Sequence, residues 1–392
     1  MFLRSEIVES MMNRAGAKRV PFLFGVDFEL EKGFFIENPL LQQDILFEVE
    51  GIRNIKNSIL NEQPKKNQHI HKLDEKVTAI NIQASVVNKT SVVNEVKEKK
   101  IIHDDYKKTF HDDYKYYFDI FPEHQSVYNC RFNKVMGSLK RGDSYLANLT
   151  IKTPVKTSLT MLDIFMLSSS PYKIYIPNNF VCFSPESFVK IKDGKISTFP
   201  MKGTIDATIP NANEIIINDE KEKAEHSTIV DLLRNDLAYV ADKVSLKRFR
   251  YIERLNGRKG LSGDNDLGTK SNVDSRRGSL LQVSSEIEGT LDENYLSNIG
   301  TIIFKLLPAG SVSGAPKRAT LNIIREAEQQ KRGFYTGVAG YFDGNFLNSF
   351  VLIRFIEQEN SSLFFRSGGG ITAMSNSDKE YREALQKIYL PF

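Results

Sequence analysis

The sequence predicts an α+β protein, because its short β-rich runs and its amphipathic helical stretches fall in separate groups rather than in strict βαβ alternation. A second observation agrees: there is no GxGxxG or Walker A pattern, so nothing supports a nucleotide-binding α/β sheet. The third is composition. Across 392 residues, 41% hydrophobic and 26% charged content is that of an ordinary globular chain with ample core. Large mixed sheets run to this length as one unit, so a single domain over 1–392 is expected.

Taken in order, Pro21–Phe28 reads as a strand, and the spacing of Leu46, Val49 and Ile52 reads as helical. Residues 61–115 are rich in Lys, Asn, Gln and Glu and read as a polar insertion. It ends in two copies of a His-Asp-Asp-Tyr-Lys run, at 103–107 and 111–115, which read better as a slipped duplication than as metal ligands. Beyond His124 the elements are denser. Tyr172–Ile176, Phe180–Phe183, Phe188–Ile191 and Lys195–Thr198 form an antiparallel meander, with a turn at Asp193-Gly194. Glu214–Ala241, Lys317–Lys331 and Ser377–Tyr389 read as helices. Tyr335–Phe342 and Phe350–Glu357 read as strands around Asp343-Gly344, and the Gly/Ser/Asn-rich stretch 256–278 as a mobile loop insertion.

Charge and cysteine content narrow the function classes. A net charge of +4 on a chain this long gives no argument for nucleic acid or a membrane surface. Cys130 and Cys182 stand in unrelated contexts, which excludes a disulfide framework or a CxxC metal site and suits a reducing compartment. With no apolar leader and no membrane-length apolar window, a cytoplasmic protein is expected.

Several residues could carry chemistry. Glu186, in Ser184-Pro-Glu-Ser187, precedes Lys202, in Phe199-Pro-Met-Lys-Gly-Thr204, by sixteen positions. An acid and a lysine in turn-like settings are what acid-assisted nucleophilic chemistry on a small substrate needs. On a helix over 214–241, Glu222 and Glu225 share the side of Ile229, Leu232 and Leu233. They are either a solvated face or carboxylates in need of a cation, and an all-oxygen ligand set suits Mg²⁺. Ser377-Asp-Lys-Glu380 has the form of a capping box, while Glu380, Glu383 and Lys387 make one stripe beside an apolar face. Arg354 lies among apolar strand neighbours and must find a partner or face solvent. Gly368-Gly369-Gly370 either admits close backbone approach by an anion or simply makes a bend.

In combination and order, Glu186, Lys202, the run Glu225–Asp236, Gly310-Ser-Val-Ser-Gly-Ala-Pro-Lys317, Gly368–Gly370 and Glu380-Tyr-Arg-Glu383 resemble the chorismate-utilising enzymes over about 125–392. That resemblance implies two facing antiparallel sheets wrapped by helices. It implies Mg²⁺ held by Glu222, Glu225, Glu380 and Glu383, the metal holding the ring carboxylate of chorismate. Tyr335, Arg354, Gly368, Gly369, Gly370 and Lys387 would clasp the substrate carboxylates, with Thr204 nearby, and Glu186 would be the acid that helps the C4 hydroxyl leave.

Lys202 makes the chain similar to the aminodeoxychorismate synthases, in which a lysine attacks C2 before ammonia enters at C4; related enzymes usually have a small residue there. The implied product is 4-amino-4-deoxychorismate, a precursor of p-aminobenzoate and folate. For such a lysine to be neutral part of the time, desolvation beside cationic neighbours is the expected device. The alternatives are an anthranilate synthase component I, or a non-catalytic chorismate-binding or glutaminase-docking protein. Two positions depart from the family pattern: Gln282 stands where a histidine is usual, and Leu146 where a glutamine or a water-activating lysine is usual. Neither cysteine lies in a Gly-x-Cys-x-Gly turn, so ammonia is expected from solution or from a separate glutamine amidotransferase subunit.

Overall fold

The computed structural model describes residues 2–55, 116–255 and 280–392. The insertions read at 61–115 and 256–278 lie outside the described residues. Two antiparallel sheets make the frame. One runs Leu3–Arg4, Lys32–Glu37, Phe22–Val26, Val338–Phe342, Leu347–Val351, Ser187–Lys192, Lys195–Thr198, Leu280–Thr290 and Met201–Asp206, with Asp242–Leu255 also paired to Leu280–Thr290. The other runs Gly314–Ala315, Leu146–Thr157, Ser362–Ile371, Phe355–Glu359, Phe180–Ser184, Tyr172–Ile176, Leu46–Val49 and Ile52–Arg53, with Phe118–Ile120 paired to Leu146–Thr157.

Period-two alternation explains the layering. In the first sheet Phe22, Phe24 and Val26 point to the outer core, while Leu23 points inward. In the second, Val181 and Phe183 face outward and Phe180 and Cys182 inward. The inward sets meet in a sandwich core where Tyr172 stacks on Phe350 with ring centroids 5.1 Å apart, and Phe47 meets Tyr341 at 5.6 Å. Each outer face is covered by helices. Ser5–Ala17, Glu220–Leu237 and Ile299–Leu306 pack on the first sheet, and Gln125–Arg141, Met161–Leu167, Lys317–Glu328 and Ser377–Gln386 on the second. The α+β expectation and its two facing antiparallel sheets thus hold. Among the described residues no helix is long and apolar enough to cross a membrane.

Some local readings are corrected. Leu46, Val49 and Ile52 do not form a helix; Val49 pairs with Ile52 in a hairpin. Glu50 and Gly51 both take positive φ, +45° and +91°, as a two-residue hairpin turn of type I′ requires. The helix read at 214–241 is two helices, Ala212–Asn218 and Glu220–Leu237, because Asp219 leaves helical geometry and caps the second by accepting from the Glu222 N–H. The strand read at 350–357 is also two, Leu347–Val351 in one sheet and Phe355–Glu359 in the other. The chain crosses between sheets at 352–354, so an apolar run that looks like one buried strand serves both.

Candidate active site

The glycine run lies in the strand Ser362–Ile371, with Gly368, Gly369 and Gly370 opposite Thr150, Leu149 and Asn148. Each glycine has its own reason. A Cβ on Gly368 would stand 2.5 Å from the Leu149 carbonyl oxygen, so strand packing excludes one. On Gly369 it would stand 3.5 Å from Lys387 Nζ, 3.7 Å from Glu383 Oε1 and 3.8 Å from Glu380 Oε2, filling a cradle beneath three charges. On Gly370 it would press on Leu146 at 3.0 Å.

The charges above that cradle come from the helix Ser377–Gln386. Its cap is Asn376, whose side chain accepts from the Asp378 and Lys379 N–H groups; the capping box read at Ser377–Glu380 does not form, because the Ser377 hydroxyl turns to Asn129. Lys387, just past the helix, donates to the Gly368 carbonyl at 2.8 Å and pairs with Glu383 at 2.8 Å.

Facing this group is Lys202, on the strand Met201–Asp206. A bulge falls between Met201 and Thr204 in the pairing with Leu280–Thr290, and Gly203 sits at φ +81°. Bulges re-aim a side chain. The lysine Nζ lies 2.7 Å from Glu225 Oε2, and a Cβ on Gly203 would stand 3.3 Å from Glu222 Oε2. Thr204 is backbone-paired with Gln282, and its side chain lies outside the described residues. Burial alone would lower the Lys202 pKa, but the hydrogen bond it donates to Glu225 and the charges of Glu225, Glu222 and Glu383 raise it above its ordinary value. Among the described residues, the charges that act most on Lys202 are acidic, Glu225, Glu222 and Glu383, where the sequence reading expected cationic neighbours.

Glu186 occupies the connection between Phe180–Ser184 and Ser187–Lys192. Its backbone is held at both ends: its N–H donates to Ser184 Oγ, and its carbonyl accepts from the Val351 N–H. Its Oε1 accepts from Ser311 Oγ at 2.5 Å. Burial raises its pKa, against the lowering effects of Ser311, Arg354 and Lys387. Arg354 is not a strand residue; it sits at the crossover with φ +54°, its Nε donating to the Tyr389 hydroxyl at 3.3 Å. Tyr335 precedes its strand, which begins at Val338, and is buried in the sandwich core with its phenol pushed up to about 12 by burial.

These elements enclose a cavity of about 820 Å³, within the range of small-molecule sites. Glu186, Lys202, Glu225, Glu380, Gly370 and Ser311 are in its wall, with Leu146 supplying apolar surface. Glu222, Glu383, Gly368, Gly369 and Lys387 stand in contact or in charge interaction with that set but are not in the wall, and neither are Arg354 and Tyr335. The sequence reading missed two participants. Ser311 was visible only as one serine in a glycine-bounded run. His226 was adjacent to Glu225; it is fully buried, 2.6 Å from Ser285 Oγ, and its pKa is pushed down to about 4 by burial, with Arg250 and Lys202 adding to the effect.

For a metal, the donor chemistry and the arrangement say different things. Four carboxylates from two helices are hard oxygen donors, as Mg²⁺ prefers. Yet among the described residues no three His, Cys, Asp or Glu side chains converge closely enough to hold an ion. Two separate acidic pairs suit an ion completed by substrate oxygens and water, the usual Mg²⁺ arrangement, better than a closed cage.

A profile of the family described as chorismate binding enzyme matches residues 10–257 and 271–391. An uncharacterised PabA-like protein of Pasteurella multocida is 40% identical over 382 residues, 97% of this chain and 96% of its own. The aminodeoxychorismate synthase component 1 of Bacillus subtilis is 31% identical over 272 residues, 65% of this chain and 53% of its own. An anthranilate synthase component 1 of Aquifex aeolicus is 32% identical over 233 residues, 56% and 42%. In fold, the structure of the menaquinone-specific isochorismate synthase MenF from Escherichia coli matches with a TM-score of 0.61 at 13% identity, over 99% of this chain and 82% of that one.

Proposed function

The chain belongs to the chorismate binding enzyme family, and from that premise we propose that it is an aminodeoxychorismate synthase component I, replacing the C4 hydroxyl of chorismate with an amino group. The observation that carries the reading is Lys202, an amine in the wall of the same cavity as the half-buried acid Glu186. An amine there has a chemical use that a small residue lacks.

In this reading the Lys202 amine forms a bond to C2 of the ring, both conjugated ring double bonds shift, and the C4–O bond breaks so that the hydroxyl leaves as water with the proton of Glu186. Ammonia then bonds to C4, both double bonds return to their first positions, and the C2–nitrogen bond to Lys202 breaks. The amine must first lose its proton, and Glu225, 2.7 Å away, is the group placed to take it. A raised Glu186 pKa keeps that carboxyl protonated at higher pH than a free one. Glu222, Glu225, Glu380 and Glu383 would hold Mg²⁺, whose charge would attract the ring carboxylate. Gly369 leaves room for that carboxylate, and Lys387 and Arg354 bring positive charge toward it and the enolpyruvyl carboxylate. Leu146 cannot activate water, which disfavours hydroxyl transfer to the ring.

Ammonia is delivered by a separate glutamine amidotransferase subunit. The similarity to an anthranilate synthase gives a second reading, in which Lys202 has no covalent role. Purified chain incubated with chorismate, Mg²⁺ and ammonium decides between them by product: 4-amino-4-deoxychorismate supports the first reading, anthranilate the second, and unreacted chorismate opposes both.

A further inference from the structure

Arg332 and Glu328 form a buried ion pair, 1% and 5% exposed, away from the cavity wall. The contact is two-pronged: Nε to Oε2 at 2.9 Å and Nη2 to Oε1 at 2.7 Å. Stability alone does not account for such a pair, since a buried ion pair is commonly replaceable by packed apolar side chains at no loss. Its remaining hydrogen bonds suggest another purpose.

Toward one wall, Arg332 Nη1 donates to the carbonyl of Val312 at 2.9 Å. Val312 follows Ser311, the residue that donates to Glu186. Toward the other wall, Arg332 Nη2 donates to the carbonyl of Asn148 at 2.7 Å, and Glu328 Oε1 accepts from both the N–H and the hydroxyl of Thr150 at 2.9 Å. Asn148 and Thr150 are the register partners of Gly370 and Gly368. The pair is itself fixed: the Glu29 carboxylate accepts from the N–H groups of Arg332 and Gly333, and the guanidinium lies 4.4 Å over the Phe28 ring.

We propose that Glu328 and Arg332 are positioning residues that hold the Ser311 turn and the glycine strand at one fixed separation, so that the acid and the glycine backbone face a common substrate. A planar guanidinium is suited to this because it donates in several fixed directions at once, where an ammonium does not. The consequence for activity rests on the proposed amination; the consequence for structure does not.

The experiment uses the full chain with Arg332→Lys, Ser311→Ala and the double variant. Amide hydrogen exchange is followed at 148–150 and 311–313, with 22–26 and 338–342 as the distant control. In Arg332→Lys, exchange should quicken at both segments and not at the control. Chorismate turnover should fall roughly 10–100-fold, the scale of a misplacement of about 1 Å. The double variant should lose no more than the larger single loss, since Arg332 acts through the turn. Unchanged exchange at either segment, or losses that multiply, overturns the proposal. If Arg332→Lys does not fold, a Glu328→Leu, Arg332→Met pair replaces it: a folded pair with unaltered exchange at both segments overturns the idea, and quickened exchange at both supports it. A wild-type chain that leaves chorismate unchanged refutes the proposed function while the exchange measurement still judges the positioning role.

Discussion

Glu225 holds the Lys202 ammonium at 2.7 Å, across the gap between the helix Glu220–Leu237 and the bulged strand Met201–Asp206. The pair is only partly buried, so its net contribution to stability is small. Its chemical effect is larger, because it joins the candidate nucleophile to a carboxylate that Mg²⁺ and substrate would also engage.

Replacing that amine tests its covalent role. Lys202→Ala should abolish amination at C4 while circular dichroism and the melting transition stay near wild type, since the side chain belongs to no core cluster. Full ammonia-dependent activity in this variant would refute the nucleophile.

The acid should announce itself in the pH profile. Burial raises the Glu186 pKa above the usual carboxylate value, so the protonated acid is lost, and turnover with it, as pH rises through that raised value. Glu186→Gln should remove this limb and slow turnover by about two to four orders of magnitude. The stability sign is the same: a raised folded-state pKa contributes stability at low pH that disappears as pH rises through it, so the glutamine variant should melt no lower than wild type at alkaline pH. A limb that survives the substitution belongs to another group.

Metal dependence can be separated from folding. A Glu225→Gln, Glu383→Gln double variant should bind chorismate more weakly and need more Mg²⁺, with little change in melting temperature, because it removes one carboxylate from each acidic pair. Unchanged Mg²⁺ dependence, measured by titration calorimetry with chorismate present, would return these residues to a surface role.

The glycine strand offers a contrast within one element. Gly368→Ala drives a methyl to 2.5 Å from a backbone oxygen and should cost about 1–3 kcal/mol of stability. Gly369→Ala meets only side-chain tips at 3.5 Å and beyond, so it should fold normally and weaken substrate binding. Equal melting temperatures for the two variants would contradict the packing argument.

Glutamine alone should not support amination. Cys182 is buried in the sandwich core, where desolvation pushes its thiol well above the usual value, and Cys130 lies exposed on the helix Gln125–Arg141 without a nucleophile turn. Ammonium should work, and a cognate glutaminase should make glutamine effective. Glutamate formed together with aminodeoxychorismate by the pure chain would defeat the partner requirement.

By itself the sequence determined what depends on residue type and short spacing. The meander Tyr172–Thr198 was legible because alternation and the Asp193-Gly194 turn are local signals, and the acidic pairs were legible because three- and four-residue spacings set a helix face. Where one period served two purposes, reading failed. Leu46, Val49 and Ile52 match a helix as well as a hairpin, and only pairing with Tyr172–Ile176 decided for the strand. The run 350–357 looks like one strand because both sheets bury their faces, and nothing local announces the crossing at Arg354. Tertiary structure alone decided the electrostatics of the site. The charge state of Lys202 depends on Glu225, Glu222 and Glu383, groups 20 to 181 positions distant in sequence. The link from Arg332 to Ser311 and the glycine strand was equally invisible, since a hydrogen bond spanning 184 residues leaves no spacing to read.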